Sequence, residues 1–215
     1  MTARLAAEGV AWAAAGRFVL LDADLALQAG EVAALLGANG VGKTSLLDVL
    51  AGDRPPDRGR VLLDGRPLDA WSPATAATRI ARLGHRPGLY LDLTAAENLQ
   101  LFGALAGRPL TDDDAARELA AVGLQPADGL RPVRTWSRGM QQRAALARVQ
   151  ASPADVWLLD EPSTGLDGDG LSLLCGVLAE ARGRGVAVLC ATHDPALVAA
   201  CDRRWRLDRG RLEAA

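Results

Sequence analysis

Short apolar runs alternate with segments of helical periodicity along most of this chain. EVAALL, residues 31–36, is an apolar run that stops at Gly37, the pattern of a buried strand. TSLLDVLAG, residues 44–52, repeats Leu and Val at helical spacing and ends on Gly52, which predicts a helix. RVLLDG, residues 60–65, reads as a strand running into a turn. DVWLLD (155–160) and VAVLCA (186–191) have no polar face, as expected of central parallel strands covered on both sides. GLSLLCGVLAEARGRG (170–185) lies between them and predicts the crossover helix. RRWRLD (203–208) and RLEA (211–214) flank Arg209-Gly210 and predict a small terminal hairpin.

The stretch from 88 to 150 follows a different pattern. LTAAENLQLFGALAG opens with Thr94 and carries Glu97 three residues on, the spacing of a capping box. In LTDDDAARELAAVG, Thr111 and three aspartates mark a helix start, where the dipole favours negative charge. SRGMQQRAALARVQ begins with Ser137, another favourable N-cap. The pattern therefore predicts an α/β core at 1–87 and 151–215 interrupted by a helical lobe at 88–150. No internal repeat or low-complexity linker is visible.

Composition narrows the class only a little. The 215 residues are 49% hydrophobic and 23% charged, so one domain with a large core is expected. The formal net charge is −2 and no basic tract stands out, which argues against a nucleic-acid partner. No run of about 18 apolar residues predicts a membrane span, and the Ala-rich N-terminus, broken by Glu8 and Gly9, makes a poor signal peptide. Cys175, Cys190 and Cys201 match no metal-binding spacing and read as small core hydrophobes in a reducing compartment.

Candidate chemistry begins at the chain's only lysine. Gly37-Ala-Asn39-Gly40-Val41-Gly42-Lys43-Thr44 fits G-x-x-x-x-G-K-[ST], with Ser45 next. Such a loop points backbone N–H groups at a phosphate, at the positive end of a helix. A compact ammonium on Lys43 reaches the β- and γ-phosphates where a forked guanidinium fits badly. Thr44 is placed to put its hydroxyl on Mg²⁺. VWLLDEPSTGLD places Asp160 at the end of a buried strand with Glu161 beside it. Asp160 suits Mg²⁺ and Glu161 suits an attacking water.

WSRGMQQRAALAR, with Ser137 lying 23 residues before Asp160, makes the set more specific. Together the motifs resemble the ATP-binding cassette (ABC) family from about residue 10 to 212. The resemblance implies a P-loop ATPase core with a parallel central sheet, an antiparallel β subdomain and an inserted α-helical lobe. Ser137, Arg138, Gly139 and Met140 stand at the family's signature motif, which touches the γ-phosphate held by the other subunit. Arg138 and Met140 depart from its commonest form. His193, in CATHDP, matches the switch histidine, and Asp167 matches the loop that crosses between subunits. His85 falls where the family normally has a glutamine that contacts Mg²⁺ and the attacking water. Trp12 is the nearest aromatic to the position that stacks on adenine, although alignment puts that position at Ala14.

The resemblance implies ATP hydrolysis with Mg²⁺ by an ATP-dependent head-to-tail homodimer. It also implies integral-membrane permease subunits and a place on the cytoplasmic face of the inner membrane. LGHRPGLYLDLTAAENL is similar to the ATPase of the haem exporter used in cytochrome c maturation. A drug, antibiotic or lipid exporter is the alternative within the family. A soluble ABC ATPase without a permease and a nucleotide kinase are the alternatives outside transport.

Overall fold

The computed structural model describes residues 2–125 and 128–215. Strands β1 (Leu5–Ala14) and β2 (Arg17–Leu27) form a long antiparallel hairpin. β3 (Val32–Leu36) leads through the glycine-rich loop into α1 (Lys43–Ala51). β4 (Arg58–Leu63) and the short β5 (Arg66–Pro67) then add to the first hairpin. After α2 (Pro73–Arg79) comes β6 (Ile80–Leu83). Three helices follow: α3 (Ala95–Leu105), α4 (Asp112–Ala121) and α5 (Arg138–Ala151). The chain then returns through β7 (Val156–Asp160), α6 (Gly168–Gly183), β8 (Ala187–Ala191) and α7 (Pro195–Ala199). It finishes with the hairpin β9 (Arg203–Asp208) and β10 (Arg211–Ala214).

Two sheets result, one of four strands in the order β2-β1-β4-β5 and one of six in the order β10-β9-β3-β8-β7-β6. The first is antiparallel throughout, and the second is parallel except for β10. The expected α/β core, antiparallel subdomain and helical lobe are therefore all present.

The central strands are wholly apolar because each face meets a different core. Along β7, Val156 and Leu158 join one cluster with Leu46, Leu47 and Leu50 of α1, while Trp157 and Leu159 join another with Val149 of α5 and Leu174 of α6. β8 alternates in the same way, with Ala187 and Leu189 on one side and Val188 and Cys190 on the other. Each fully buried leucine of this kind contributes about 1.5–3 kcal/mol. Cys190 is buried as a core hydrophobe, whereas Cys175 and Cys201 are half-buried, and all three are free thiols.

Register decides where the site lies. Leu35 of β3 and Asp160 of β7 both pair with Ala191 of β8, and Leu83 of β6 pairs with Leu159. Four neighbouring parallel strands therefore end at one level. Their following loops carry Gly37, His193, Glu161 and His85. That carboxyl edge is where open α/β sheets bind ligands.

The candidate ATP site

The glycine-rich loop closes tightly on its own scaffold. Gly37 has φ +152°, and a Cβ there would lie 2.6 Å from the Leu207 carbonyl oxygen and 2.9 Å from Val41 Cγ1. No larger residue fits. Gly42 caps α1 in a left-handed conformation without any side-chain hydrogen bond, so the first N–H groups of α1 are not taken by a side chain. Lys43 is only 8% exposed. Its Nζ donates to the carbonyls of Gly37 at 2.8 Å and Ala38 at 3.3 Å. An ammonium has three protons, so one is left for a further acceptor such as a phosphate oxygen. Asn39 and Gly40 are exposed at the loop tip, with Val41 and Ser45 half-buried.

Thr44 and Asp160, 116 positions apart in sequence, meet below the loop. Thr44 Oγ1 donates to Asp160 Oδ2 at 2.8 Å. Asp160 is 4% exposed, and this is its carboxylate's only hydrogen bond among the described residues. A buried carboxylate paired with a hydroxyl is a hard-oxygen donor set, so these two residues fit Mg²⁺.

Glu161 turns out of β7 with φ +50°, a conformation rarely adopted by a residue with a side chain. Its N–H donates to the Ala191 carbonyl at 2.8 Å, which ties the turn to the end of β8. His193 Nδ1 lies 2.9 Å from Glu161 Oε2. That oxygen is shielded and receives no well-aligned hydrogen bond, whereas the imidazole is 79% exposed. The two side chains thus meet at the mouth of the site, with the histidine open to an incoming group. The chain next to His193 is anchored on its C-terminal side. Asp194 donates its N–H to Thr192 Oγ1 and caps α7 by accepting from Ala196 and Leu197.

His85 is exposed two residues beyond β6. The β6–β7 pairing ends at Leu83 and Leu159, so His85 and Glu161 each lie two residues beyond the last pair. Ser137 caps α5 by accepting from the Met140 N–H at 3.2 Å. Ser137 and Arg138 are exposed, while Met140 packs against the core. Gly139 has a reason to be glycine within its own chain, because a Cβ there would lie 2.7 Å from the Gly165 carbonyl oxygen. Asp167 caps α6 through the Gly170 N–H at 2.8 Å and receives Arg143 Nη2 at 2.7 Å. That first hydrogen bond, with Arg143 close by, holds its carboxyl below the usual range.

Trp12 does not stand free. It packs beside the core of the antiparallel subdomain, with the Arg54 guanidinium 5.1 Å from its ring centroid. Phe18, which no sequence motif marks, is 53% exposed. Its neighbour Val19 crosses the loop: a Cβ on Gly42 would be 2.7 Å from Val19 Cγ1. Phe18 opens the apolar run FVLL, so its exposure was not legible in the sequence.

A phosphate-binding loop, a buried Asp160 beside Thr44, and a carboxylate–histidine pair on one sheet edge define a P-loop ATPase. The model of the ABC transporter family matches residues 20–164. The chain belongs to that family and is the ATP-binding, ATP-hydrolysing subunit of an ABC transporter. It is similar to the cytochrome c biogenesis ATP-binding export protein CcmA of Cupriavidus necator, 41% identical over 88% of this chain and 82% of the relative. Against the Bordetella parapertussis protein of the same name, identity is 41% over 96% and 90%. Its fold matches the ATP-binding cassette MJ0796, solved as a dimer in a post-hydrolysis state bound to ADP and Pi. The TM-score is 0.88 at 22% identity, covering 97% of this chain and 96% of that one. No helix among the described residues is long and apolar enough to cross a membrane.

Proposed function

We propose that this subunit drives export for cytochrome c biogenesis, with haem as the substrate class, from the cytoplasmic face of the inner membrane. The observation that carries the export reading is the likeness to cytochrome c biogenesis export proteins over nearly the whole chain. Two copies bind two ATP molecules head to tail, each loop around Lys43 facing the other copy's Ser137–Gly139 segment. The exposed, side-chain-capped N-terminus of α5 supports this, because a helix N-terminus favours phosphate. Thr44 and Asp160 would hold Mg²⁺, which would supply charge neutralisation at the bound phosphates. Lys43 and the loop backbone stabilise phosphoryl charge. Glu161 orients or deprotonates water, His193 contacts the γ-phosphate, and His85 takes the place of the usual glutamine. Phe18, exposed beside Val19 at the loop, joins Trp12, whose ring carries Arg54 at 5.1 Å, as a candidate surface for adenine.

The permease contact is supported by a groove of about 950 Å³ between the antiparallel subdomain and the helical lobe. Trp71, Leu99, Phe102 and Leu105 line it. Arg148 also lines it, with its guanidinium 4.8 Å from the Phe102 ring and Nη2 donating to the Arg82 carbonyl at 2.7 Å. Burial pushes the Arg148 guanidinium down to about 10. An apolar segment of a membrane partner would fit this lining.

The test is capture of the Glu161→Gln protein with Mg·ATP from detergent-solubilised native membranes. Integral-membrane subunits together with haem-handling proteins are the expected result. A drug- or lipid-exporter permease would overturn the haem assignment, and no membrane protein at all would overturn the proposed permease contact.

A further inference from the structure

Three contacts tie the first turns of α5 to the loop that follows β7. Gln142 is 7% exposed, and its Nε2 donates to the Pro162 carbonyl at 3.1 Å. Gly139 lies against Gly165 with no room for a methyl group between them. Arg143 donates to Asp167 at the far end of the same loop. The loop held in this way begins with Glu161 in its left-handed conformation. Such a conformation persists only where the surroundings over-determine it. Backbone bonds from Glu161 to Ala191 and from Thr164 to Glu161 define the turn itself. Pro162 has no N–H, so its carbonyl is its only polar group. Among the described residues, Gln142 is the side chain that holds that carbonyl.

We propose that Gln142 is a positioning residue for hydrolysis. It acts through Pro162 to hold the Glu161 carboxylate on the attacking water. The signature segment, which begins five residues before Gln142 at Ser137, and the glutamate of the same chain then form one mechanical unit. Docking of that segment on a partner's ATP is felt at the chain's own catalytic carboxylate. The proposal rests on Glu161 as the group that activates water, and the experiment separates the two.

The experiment compares Gln142→Met, which keeps the volume and removes the donor, in the parent and in the Glu161→Gln background. Gln142→Glu is the second variant, since it keeps the shape and replaces the donor with an acceptor. Thermal unfolding midpoints identify any variant that does not fold. In the parent, kcat for ATP hydrolysis falls about ten-fold or more, as for a misplaced reacting group. KM and ATP affinity stay within about two-fold of the parent. In the Glu161→Gln background the same substitution adds no further loss, because its only route to the chemistry has been removed. Parental kcat in both folded variants, an equal loss in both backgrounds, or an effect confined to KM would each overturn the proposal. Parental turnover by Glu161→Gln would instead overturn the role of Glu161, and this proposal with it.

Discussion

Lys43 is the one position where this arginine-rich chain uses lysine, and its surroundings explain the choice. Nζ sits within hydrogen-bond reach of two carbonyls of its own loop in an almost closed pocket. A planar guanidinium carries the charge but not the compact shape. Lys43→Arg is therefore expected to lose most ATP affinity although the net charge is unchanged, as measured by equilibrium binding of a fluorescent ATP analogue. Binding equal to the parent would show that charge alone suffices. Glu161→Gln keeps the turn and the neighbouring His193 but removes the base. It should retain ATP binding and lose turnover by about 10²-fold or more. His85→Ala should lower hydrolysis, and His85→Gln should restore it, as expected of a group that stands in for the usual glutamine. Equal rates for all three proteins would make His85 a bystander. The glycines of the signature and the loop were legible as motif. The intrachain reason for Gly139, contact with the Gly165 carbonyl, required the fold.

Helix starts were the most legible elements because their chemistry is local. Thr94 and Glu97 make both bonds of the expected capping box, and Ser137 caps α5. Thr111 caps α4 too, but its reciprocal partner is Asp114, three residues on. Thr94→Ala should cost about 1 kcal/mol, read as a lower denaturation midpoint, with little change in ATP affinity. A much larger loss would mean that Thr94 serves more than the cap. The antiparallel subdomain was harder to read. β1 is rich in alanine, and its register shifts between Ala7 and Val10 and again before Trp12, so no period-2 pattern survives. β2 did carry one, with Ala23, Leu25 and Leu27 buried and Asp22 and Asp24 exposed, although Asp22 itself bends with φ +54°. For α2, the Ser72-Pro73 start was visible in the sequence: Ser72 accepts from Thr75, and proline occupies the first turn. Its seven residues are too few for periodicity to register.

At the scale of the molecule, the parallel sheet brings four separate sequence motifs to one edge, and the helical lobe hangs beside it. The motifs were legible one by one. What brings them together is the strand order β3-β8-β7-β6, which no local pattern specifies. The ATP site within one chain is half of the proposed catalytic arrangement. Its loop faces outward, and the signature segment that completes it belongs to a second copy. The most direct test is sedimentation velocity of the Glu161→Gln protein with Mg·ATP and with Mg·ADP, repeated after adding Ser137→Glu. A carboxylate at 137 would oppose the partner's γ-phosphate while leaving the loop around Lys43 intact. The expected result is a dimer with ATP, a monomer with ADP, and loss of the ATP dimer in the double variant with nucleotide binding retained. A chain that stays monomeric with ATP bound, or a dimer indifferent to Ser137→Glu, would contradict it.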